Sequence, residues 1–412
     1  MAKTNWQKKE IKDAKEFGGK QTIRSGGVWF CVPEEYEVLM GSGGWKRIDS
    51  LKKKEIIYTF NLEERAVEKA PIDKMLVFEN SLFKSMTNKN HEISFTEGHR
   101  FVWGKDDRLV LSSLDNLNGK ITSYKLLAAV QSGREEYYIS DDELRIIAWI
   151  LTDGTVVEKG EKVGYNVSIY QSKPKMVKRI EALLKKENIE FSKYKRKING
   201  VFKANYPNFQ FYIKAPKEFL NKYSLKSDKF PFWLYQLSDR QVADVFLPEL
   251  MLGDGCENAL YGKRKTLSKL QGLFATHGIT SSLRENNRGE FYLIIKKAKG
   301  HWLSSVKDGA RRGTSYCLQN KNETMIMRTP NGTVFVSGNS KGDVRTDTFL
   351  IDSKTSAAQR FSITKKMWKK ISREALLGQR LPMLSVKFSD EDLEVVVLDK
   401  DDFLEMTKNI SN

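Results

Sequence analysis

The chain has few of the residues that cross-link small domains, and it has no long apolar run. Its three cysteines are widely spaced and odd in number, which argues against a disulfide framework and for a reducing compartment. Its four histidines form no zinc-binding pattern with them. Because no apolar run approaches the length of a bilayer span, we expect a cytoplasmic protein without a membrane partner.

Acidic residues are a minority among the charged residues. There are 70 Lys+Arg against 52 Asp+Glu, giving a net charge of +18, which favours a polyanionic partner such as DNA or RNA. A basic protein without such a partner remains the alternative. At 412 residues the chain exceeds what one hydrophobic core usually serves, so we expect two or three domains.

The hydrophobic periodicity changes several times along the chain. Short strands from Cys31 to about Leu127 indicate an all-β unit, and 139–300 alternates helices and strands in two similar passes. Strand character returns at 315–339 and can complete the sheet that begins at Cys31. A helical pattern is also present over 5–17. The clearest predicted elements are strands at Tyr36–Met40, Ile56–Phe60, Glu92–Phe95 and Thr333–Val336, and helices at Pro174–Lys186, Lys265–His277 and Lys365–Leu377.

Two distant junctions carry the parts needed to remove a segment from a protein. The thiol of Cys31 can attack the preceding carbonyl and convert the Phe30–Cys31 amide to a thioester. Downstream, the hydroxyl of Ser340 can take over the acyl group, and the side-chain amide of Asn339 can cyclise onto its own carbonyl. An acid must protonate the leaving nitrogen, and a donor must bind the tetrahedral oxygen. This pattern predicts self-splicing.

The residues between the junctions resemble the Hint domain of inteins. Phe95–Phe101 resembles the Thr-x-x-His block of that family, Ser315–Leu318 its penultimate block, and Thr333–Ser340 its last block. The resemblance implies an all-β, horseshoe-like splicing domain. It also implies functional residues: Thr96 and His99 would activate the upstream amide, Cys317 would assist proton or acyl transfer, and Cys31, Asn339 and Ser340 would carry the covalent steps.

The chain departs from the family pattern at two positions. The residue before the terminal Asn is commonly His in this family and is Gly338 here. A helper His is also replaced, by Thr324. Slow or differently assisted cyclisation of Asn339 is therefore expected. Taken one at a time, Cys31 and His99 could also be ordinary core residues.

Two predicted helices each end in Asp-Gly, at Asp153 and at Asp254. Small residues at Ala148, Thr152 and Gly253 would let these helices pack closely and bring the two carboxylates together. Such a pair can hold Mg²⁺ and activate water for phosphodiester cleavage. Asp-Gly also ends many helices of no catalytic role, and the repetition of the motif favours the functional interpretation.

The repeat resembles the LAGLIDADG homing endonucleases, most clearly over Leu247–Gly255. The resemblance implies an inserted α/β domain of pseudo-twofold symmetry that cuts a double-stranded DNA homing site. Asp153 and Asp254 would be catalytic residues and Mg²⁺ ligands, and basic strands such as Lys193–Lys197 would line the DNA. Lys173, Lys296 and Lys297 are candidate auxiliary cations. The alternative for the basic strand is a solvated face.

The flanks of the excised segment carry a third pattern. An Asp at 343 followed by Asp352 and Lys354 predicts a hairpin with two carboxylates and an amine on one side, because alternate strand residues share a face. Such a set can bind a metal beside a cation that orients water. An exposed hairpin with solvated charges is the alternative.

Joined, the flanks resemble the PD-(D/E)xK nucleases, in particular the small phage and archaeal members related to Holliday junction resolvases. The resemblance implies a split α/β, restriction-endonuclease-like host domain that binds Mg²⁺ through Glu10, Asp343 and Asp352, with Lys354 catalytic. It further implies branched DNA as substrate, a homodimer, and a bacterial or phage-infected cell.

The sequence thus predicts a multidomain α+β precursor in which a splicing domain interrupts a nuclease. A multidomain DNA-binding protein that never processes itself, with Cys31 and Asn339 structural, is the alternative, and self-cleavage without ligation is a third. The predicted segments are 1–30 and 340–412 (host), 31–130 and 306–339 (splicing domain) and 131–305 (endonuclease).

Overall fold

The structure is a computed structural model that describes most of the chain from Cys31 to Lys408. The predicted helix over 5–17 and the candidate residues Glu10, Asn339, Ser340 and Asp343 lie outside the described residues. The described ranges are 31–105, 108–114, 117, 121–133, 137–158, 164–196, 207–225, 230–296, 300–307, 309, 311–338, 344–345, 349–356, 360–377, 380–388 and 393–408.

Short strands build the first part of the described chain, as its alternating pattern predicts. The 14-residue β6 was not anticipated, because polar residues interrupt its apolar pattern. The strands are β1 (Val32–Pro33), β2 (Glu37–Leu39), β3 (Trp45–Arg47), β4 (Ile56–Asn61), β5 (Ala66–Pro71), β6 (Lys74–Thr87), β7 (Glu92–Thr96), β8 (Arg100–Lys105), β9 (Arg108–Ser113) and β10 (Lys125–Leu127), with 3₁₀ turns at Ile48–Ser50 and Ile121–Ser123.

The middle region alternates helices and strands. Its first helix begins at a capping box, in which Ser140 and Glu143 satisfy each other's backbone amides. The elements are α1 (Asp141–Asp153), β11 (Gly154–Glu158), β12 (Tyr165–Gln171), α2 (Pro174–Lys186), β13 (Phe191–Lys195), β14 (Phe209–Ile213), α3 (Pro216–Lys222), a 3₁₀ helix (Phe232–Gln236), a π-helix (Gln241–Phe246), α4 (Leu247–Asp254), β15 (Gly255–Cys256), β16 (Ala259–Gly262), α5 (Arg264–Ala275), β17 (Thr280–Glu285) and β18 (Phe291–Lys296).

The two passes of the middle region have the same topology. The first sheet has the order β11-β12-β14-β13 and the second β15-β16-β18-β17. In each pass a helix follows the second strand, namely α2 in the first and α5 in the second. The leading helices α1 and α4 pack against each other at the centre. The sequence repeat therefore corresponds to two half-domains of one design.

The chain after the middle region returns to the first sheets. The two sheets have the orders β1-β21-β6-β20, with β7 beside β6, and β19-β10-β8-β23-β22-β2-β3, with β9 beside β8. Each sheet contains strands from both sides of the middle region, so the two stretches form one β unit. The returning strands are β19 (Gly300–Trp302), β20 (Ser305–Lys307), β21 (Arg312–Gln319), β22 (Thr324–Arg328) and β23 (Val334–Gly338).

Two apolar cores stabilise this arrangement. One lies within the β unit, where Phe95, Phe101, Trp103 and Phe335 are buried. A larger cluster continues from the β unit into the helices of the middle region. Burial of apolar area dominates folding free energy, so this shared core holds the two regions together.

The last part of the chain forms a smaller α/β unit. β25 and β26 pair in parallel, and α6 crosses between them and packs on both, as a parallel connection requires. The elements are β24 (Val344–Arg345), β25 (Phe349–Ser356), α6 (Lys365–Leu377), β26 (Leu381–Phe388), β27 (Glu394–Leu398) and α7 (Lys400–Lys408).

The fold is therefore mixed α and β, with several sheets. The predicted bounds of α2 and α6 agree with the structure, because each has a strong amphipathic pattern. The π-helix was not predicted, since it continues directly into α4 and has no sequence signal of its own. Among the described residues, no helix is long and apolar enough to cross a membrane.

Candidate active site

Cys31, the residue before β1, lies against Cys317 of β21. β1 and β21 are antiparallel, with Val32 opposite Tyr316, and the same register continued by one residue places Cys31 opposite Cys317. The two side chains are in contact and buried, at 2% and 1% exposure. The first sheet thus brings together two of the residues that the sequence analysis selected.

Thr96 holds the backbone of Cys31 from both sides of the residue. The Cys31 amide donates to the Thr96 hydroxyl at 3.0 Å, and the Thr96 amide donates to the Cys31 carbonyl at 3.1 Å. The Cys31 nitrogen belongs to the Phe30–Cys31 peptide bond. These two hydrogen bonds therefore hold in place the amide nitrogen that would leave in the predicted reaction.

His99 lies three residues after Thr96, across the tight turn between β7 and β8. Gly98 adopts φ 76°, a conformation that favours glycine, and the His99 amide donates to the Thr96 carbonyl at 3.2 Å. The buried His99 ring contacts the hydroxyl of Ser337 through Nε2 at 2.9 Å. Ser337 precedes Asn339 by two residues. The turn from Thr96 to His99 therefore contacts one described residue near each junction.

The Cys31 thiol is held in its protonated form. Burial raises the pKa of Cys31 well above its ordinary value, and the Cys317 thiol beside it raises the pKa further, while hydrogen bonds with Ser315 and Thr96 lower it. Ser315 is fully buried, and its hydroxyl lies 2.7 Å from that of Ser81. Sequence reasoning missed Ser315 and Ser337, because an isolated serine carries no pattern.

The two departures from the intein pattern have local packing explanations. A Cβ at Gly338 would lie 2.3 Å from Leu111 Cδ1 and 3.2 Å from the Arg100 carbonyl oxygen, so a larger residue there would require the Leu111 side chain to move. The buried hydroxyl of Thr324 donates to the Phe60 carbonyl at 2.6 Å and accepts from the Phe60 amide at 2.8 Å. Thr324 therefore joins β22 to β4.

The C-terminal candidates are only partly described. Asp352 is half-buried on β25, opposite Leu384. Lys354 lies two residues later on the same strand, but its side chain is outside the described set. The proposed grouping of Glu10, Asp343, Asp352 and Lys354 therefore stays a prediction.

A second candidate site lies at the ends of α1 and α4. Asp153 and Asp254 are the last residues of these helices. A Cβ at Gly253 would lie 2.5 Å from Thr152 Oγ1 and 2.8 Å from Thr152 Cβ, so glycine permits the close approach of the two helices there. The helix pair brings the two predicted carboxylates to one place.

Partial burial raises the pKa of both carboxylates, and Asp254 raises that of Asp153 further. Burial and the nearby Asp254 raise the pKa of Asp153 to about 6, and burial raises the pKa of Asp254, while Lys173 lowers both. The Gln171 side chain donates to Asp153 Oδ2 at 3.2 Å through Nε2, and its Oε1 accepts hydrogen bonds from the backbone amides of Ser172 and Lys173. Gln171 was missed, because its role depends on the turn that follows β12.

This donor set fits a divalent cation. Mg²⁺ is commonly bound by one or two carboxylates and completes its shell with water and substrate phosphates. The described residues contain no group of three or more His, Cys, Asp or Glu that could enclose a metal, and two facing carboxylates match the open type of site. A bound cation would offset the repulsion that raises the pKa of Asp153.

The candidate auxiliary cations separate in the structure. Lys173 acts on both carboxylates. Lys296 instead contacts His91 in the β unit, at 2.5 Å between Nζ and Nε2. Lys297 lies outside the described residues. Of the two described candidates, Lys173 is therefore the one beside the acidic pair.

The outer face of the first half-domain sheet is polar and aromatic. Gln210 on β14 donates to Ser168 Oγ and to the Tyr170 hydroxyl on β12, and Arg196 lies over the Tyr170 ring at 5.0 Å. Lys193 belongs to the opposite face, where it pairs with Glu181 of α2 at 2.6 Å. Arg196 and Lys193 therefore lie on opposite faces of this sheet.

A buried ionic cluster joins the half-domains and was not predicted. Glu249 of α4 is 1% exposed and accepts two hydrogen bonds from Arg179 of α2, at 2.7 and 2.6 Å, and one from Trp149 Nε1 of α1, at 2.5 Å. From sequence, a glutamate in a helix is normally predicted to be exposed, so only the tertiary structure reveals that Glu249 is a buried acceptor.

The chain matches no protein-family model and no curated protein. Solved structures of low similarity include variants of the homing endonuclease I-DmoI, at 14% identity over 38% of this chain and 89% of that chain, with a TM-score of 0.29. Other structures of I-DmoI contain its target DNA with Mg or with Mn.

Two inteins are also similar at a low level. One is a DnaB intein from Synechocystis sp. PCC 6803, at 18% identity over 24% of this chain and 68% of that chain, with a TM-score of 0.20. The other is the AceL NrdHF class 3 split intein, at 6% identity over 75% and 98%, with a TM-score of 0.29. All these TM-scores are below 0.5, so none of the similarities by itself assigns a function.

Proposed function

We propose that this chain is a self-splicing precursor that carries a DNA endonuclease within its splicing domain. The observation that carries the proposal is the turn from Thr96 to His99. Its first residue holds the Cys31 amide, and its last contacts Ser337 beside the downstream junction. Splicing requires that the two junctions, which are far apart in sequence, lie close together in the fold.

In the proposed reaction the Cys31 sulfur attacks the Phe30 carbonyl and forms a thioester, and the Cys31 nitrogen leaves with a proton. The Ser340 hydroxyl then displaces the thiol and forms an ester. Cyclisation of Asn339 cleaves the Asn339–Ser340 bond, and the freed amine of Ser340 takes the acyl group to form the new amide. Thr96 positions the leaving nitrogen, while His99 and Cys317 are the candidates for moving its proton.

Tagging both ends of the expressed chain tests splicing. We expect a ligated product that spans Phe30 and Ser340, together with a released segment from Cys31 to Asn339, both identified by mass spectrometry. Cys31→Ala should abolish ligation, whereas Cys256→Ala, which replaces the exposed cysteine, should leave it intact. A wild-type chain that stays at full length favours the alternative of a non-splicing DNA-binding protein.

For the middle region, we propose Mg²⁺-dependent cleavage of double-stranded DNA. Asp153 and Asp254 would hold the cation, which would activate water and neutralise charge on the phosphate, and the outer faces of the two sheets would contact DNA. The test substrate is duplex DNA that encodes residues 25–30 joined directly to 340–344. Asp153→Asn should abolish cleavage. The control Asp244→Asn, a change on the preceding π-helix, should leave cleavage intact.

For the flanks, the finer proposal is a host nuclease that becomes active on ligation. Support comes from the β24–β25 pairing, which forms the predicted hairpin, and from Asp352 on it. A directly expressed fusion of 1–30 to 340–412 should cleave a four-way DNA junction with Mg²⁺, and Asp352→Asn should not. Equal activity of fusion and variant would disprove this part.

A further inference from the structure

A cluster of basic and hydroxyl side chains lies where the second half-domain meets the β unit. β17 and β18 are antiparallel, with Thr280 opposite Lys296. Alternation along β17 places Thr280, Ser282 and Arg284 on the same face as Lys296. Ser282 also forms an antiparallel backbone bridge with Thr333, so β17, the edge strand of its sheet, pairs with the β unit at this point. These residues, with His91 and His301, are termed the seam cluster.

His91 is the centre of the seam cluster. Its Nδ1 lies 2.9 Å from the Thr333 hydroxyl and its Nε2 lies 2.5 Å from the Lys296 ammonium. An ammonium can only donate, so Nε2 accepts and the ring is neutral with its proton on Nδ1. The His301 ring packs against it at a centroid distance of 4.1 Å, and both rings are buried.

Three polar atoms of the cluster lack partners among the described residues: two are hydroxyls that can donate, and the third, Nδ1 of His301, is an acceptor because Nε2 of that ring donates to the Val334 carbonyl. The hydroxyls of Thr280 and Ser282 and the Nδ1 atom of His301 are buried and form no hydrogen bond within the described part of the chain. Arg284 uses two of its N–H groups on the carbonyls of Asn331 and Asn90. Buried polar groups are almost always paired, so the two unpaired hydroxyls on one face of β17 indicate an unassigned ligand that accepts hydrogen bonds.

The charges of the cluster point to the same conclusion. Of the charged side chains in the described ranges, those that act on His91, His301 and Lys296 are all basic. Burial, followed by neighbouring basic groups, lowers the pKa of His91 to about 2, of His301 to about 3 and of Lys296 to about 8. A cluster of this kind is stabilised by an anion that accepts hydrogen bonds.

We propose that the seam cluster binds a phosphate group. Lys296 and Arg284 would supply the charge, and the hydroxyls of Thr280 and Ser282 would donate to its oxygens. The group is either free phosphate or a phosphate of a DNA backbone. The proposal is independent of splicing and of nuclease activity, because it rests on residues outside both candidate sites.

Isothermal titration calorimetry with inorganic phosphate at constant ionic strength tests the site. The full chain is used with Cys31→Ala and Asn339→Ala so that it stays intact. We expect saturable binding, weakened at least tenfold by Lys296→Met with Arg284→Gln. Thr280→Val with Ser282→Ala leaves the charge unchanged and should weaken binding at least threefold. The matched control is Lys52→Met with Arg65→Gln, which removes the same charge from exposed positions.

Absence of saturable binding by the parent overturns the proposal, as does an equal loss in the control. Thermal unfolding of each variant shows whether it is folded, and the hydroxyl variant keeps the test decisive if the charge variant unfolds. Fluorescence anisotropy with a DNA duplex then identifies the source. A matching loss of DNA affinity in the cluster variants supports a backbone phosphate, and unchanged DNA affinity supports free phosphate.

Discussion

The peptide nitrogen of Cys31 donates a hydrogen bond of 3.0 Å to the hydroxyl of Thr96. This contact fixes the nitrogen that must leave in the proposed first step. Thr96→Val keeps the shape of the side chain and removes the acceptor, so we expect thiol-induced cleavage after Phe30 to slow about tenfold, the order of one hydrogen bond. Thr96→Ser keeps the hydroxyl and should retain most of the rate. Equal rates for the two variants would contradict the assignment.

Cys317 should set the pH dependence of the same step. Its thiol raises the pKa of Cys31, so Cys317→Ala should lower that pKa and yield more Cys31 thiolate at a given pH. The midpoint of cleavage with pH should therefore move to lower pH. Cys256→Ala is the control, since Cys256 is exposed and lies in the middle region. A midpoint that stays fixed or rises would count against the contact.

Asp153 should be a source of instability when no metal is bound. Its folded-state pKa is raised to about 6, so the native state favours the protonated form, and stability from this group is lost as pH rises through 6. Asp153→Asn should therefore raise the melting temperature at pH 8 without metal, and change it little at pH 4. Added Mg²⁺ should stabilise the wild type and not the variant, and this difference should fade below pH 6.

Gly253 should be required for the approach of α1 to α4. An alanine methyl would meet Thr152 at 2.5 Å (Oγ1) and 2.8 Å (Cβ). We expect Gly253→Ala to reduce the free energy of unfolding by about 1–3 kcal/mol, the usual cost of overpacking. The matched control is Gly262→Ala, whose Cβ would find ordinary contacts of 3.5 Å. If both variants lose the same free energy of unfolding in urea, the close approach of α1 to α4 does not require Gly253.

Glu249 should stabilise the middle region more than a surface carboxylate does. Glu249→Ala leaves the buried Trp149 N–H without its acceptor and removes the partner of Arg179, so we expect a loss of about 3 kcal/mol in urea unfolding. Glu181→Ala breaks more exposed pairs with Lys185 and Lys193 and should cost at most about 1 kcal/mol. Equal losses would disprove the special role of Glu249.

Much of the fold could be predicted because its signals are local. α2 and α6 have apolar stripes at the helical period, and the two Asp-Gly helix ends mark the repeat. Cys31, Thr96 and Cys317 were selected from short motifs, and the structure brings them together. Glu249 and Gln171 could not be selected, because their partners come from other elements and leave no trace in the adjacent sequence.

By itself, the sequence determined which reactive groups this protein carries. They are a nucleophilic residue at each predicted splice junction, two carboxylates at helix ends, and an excess of positive charge. Tertiary structure decided which of these groups meet. Strand pairing placed Cys31 against Cys317 and turned Lys296 away from the acidic pair toward His91. The physical reason is that periodicity specifies which face of an element is buried, whereas the identity of its neighbours depends on contacts between residues far apart in the chain.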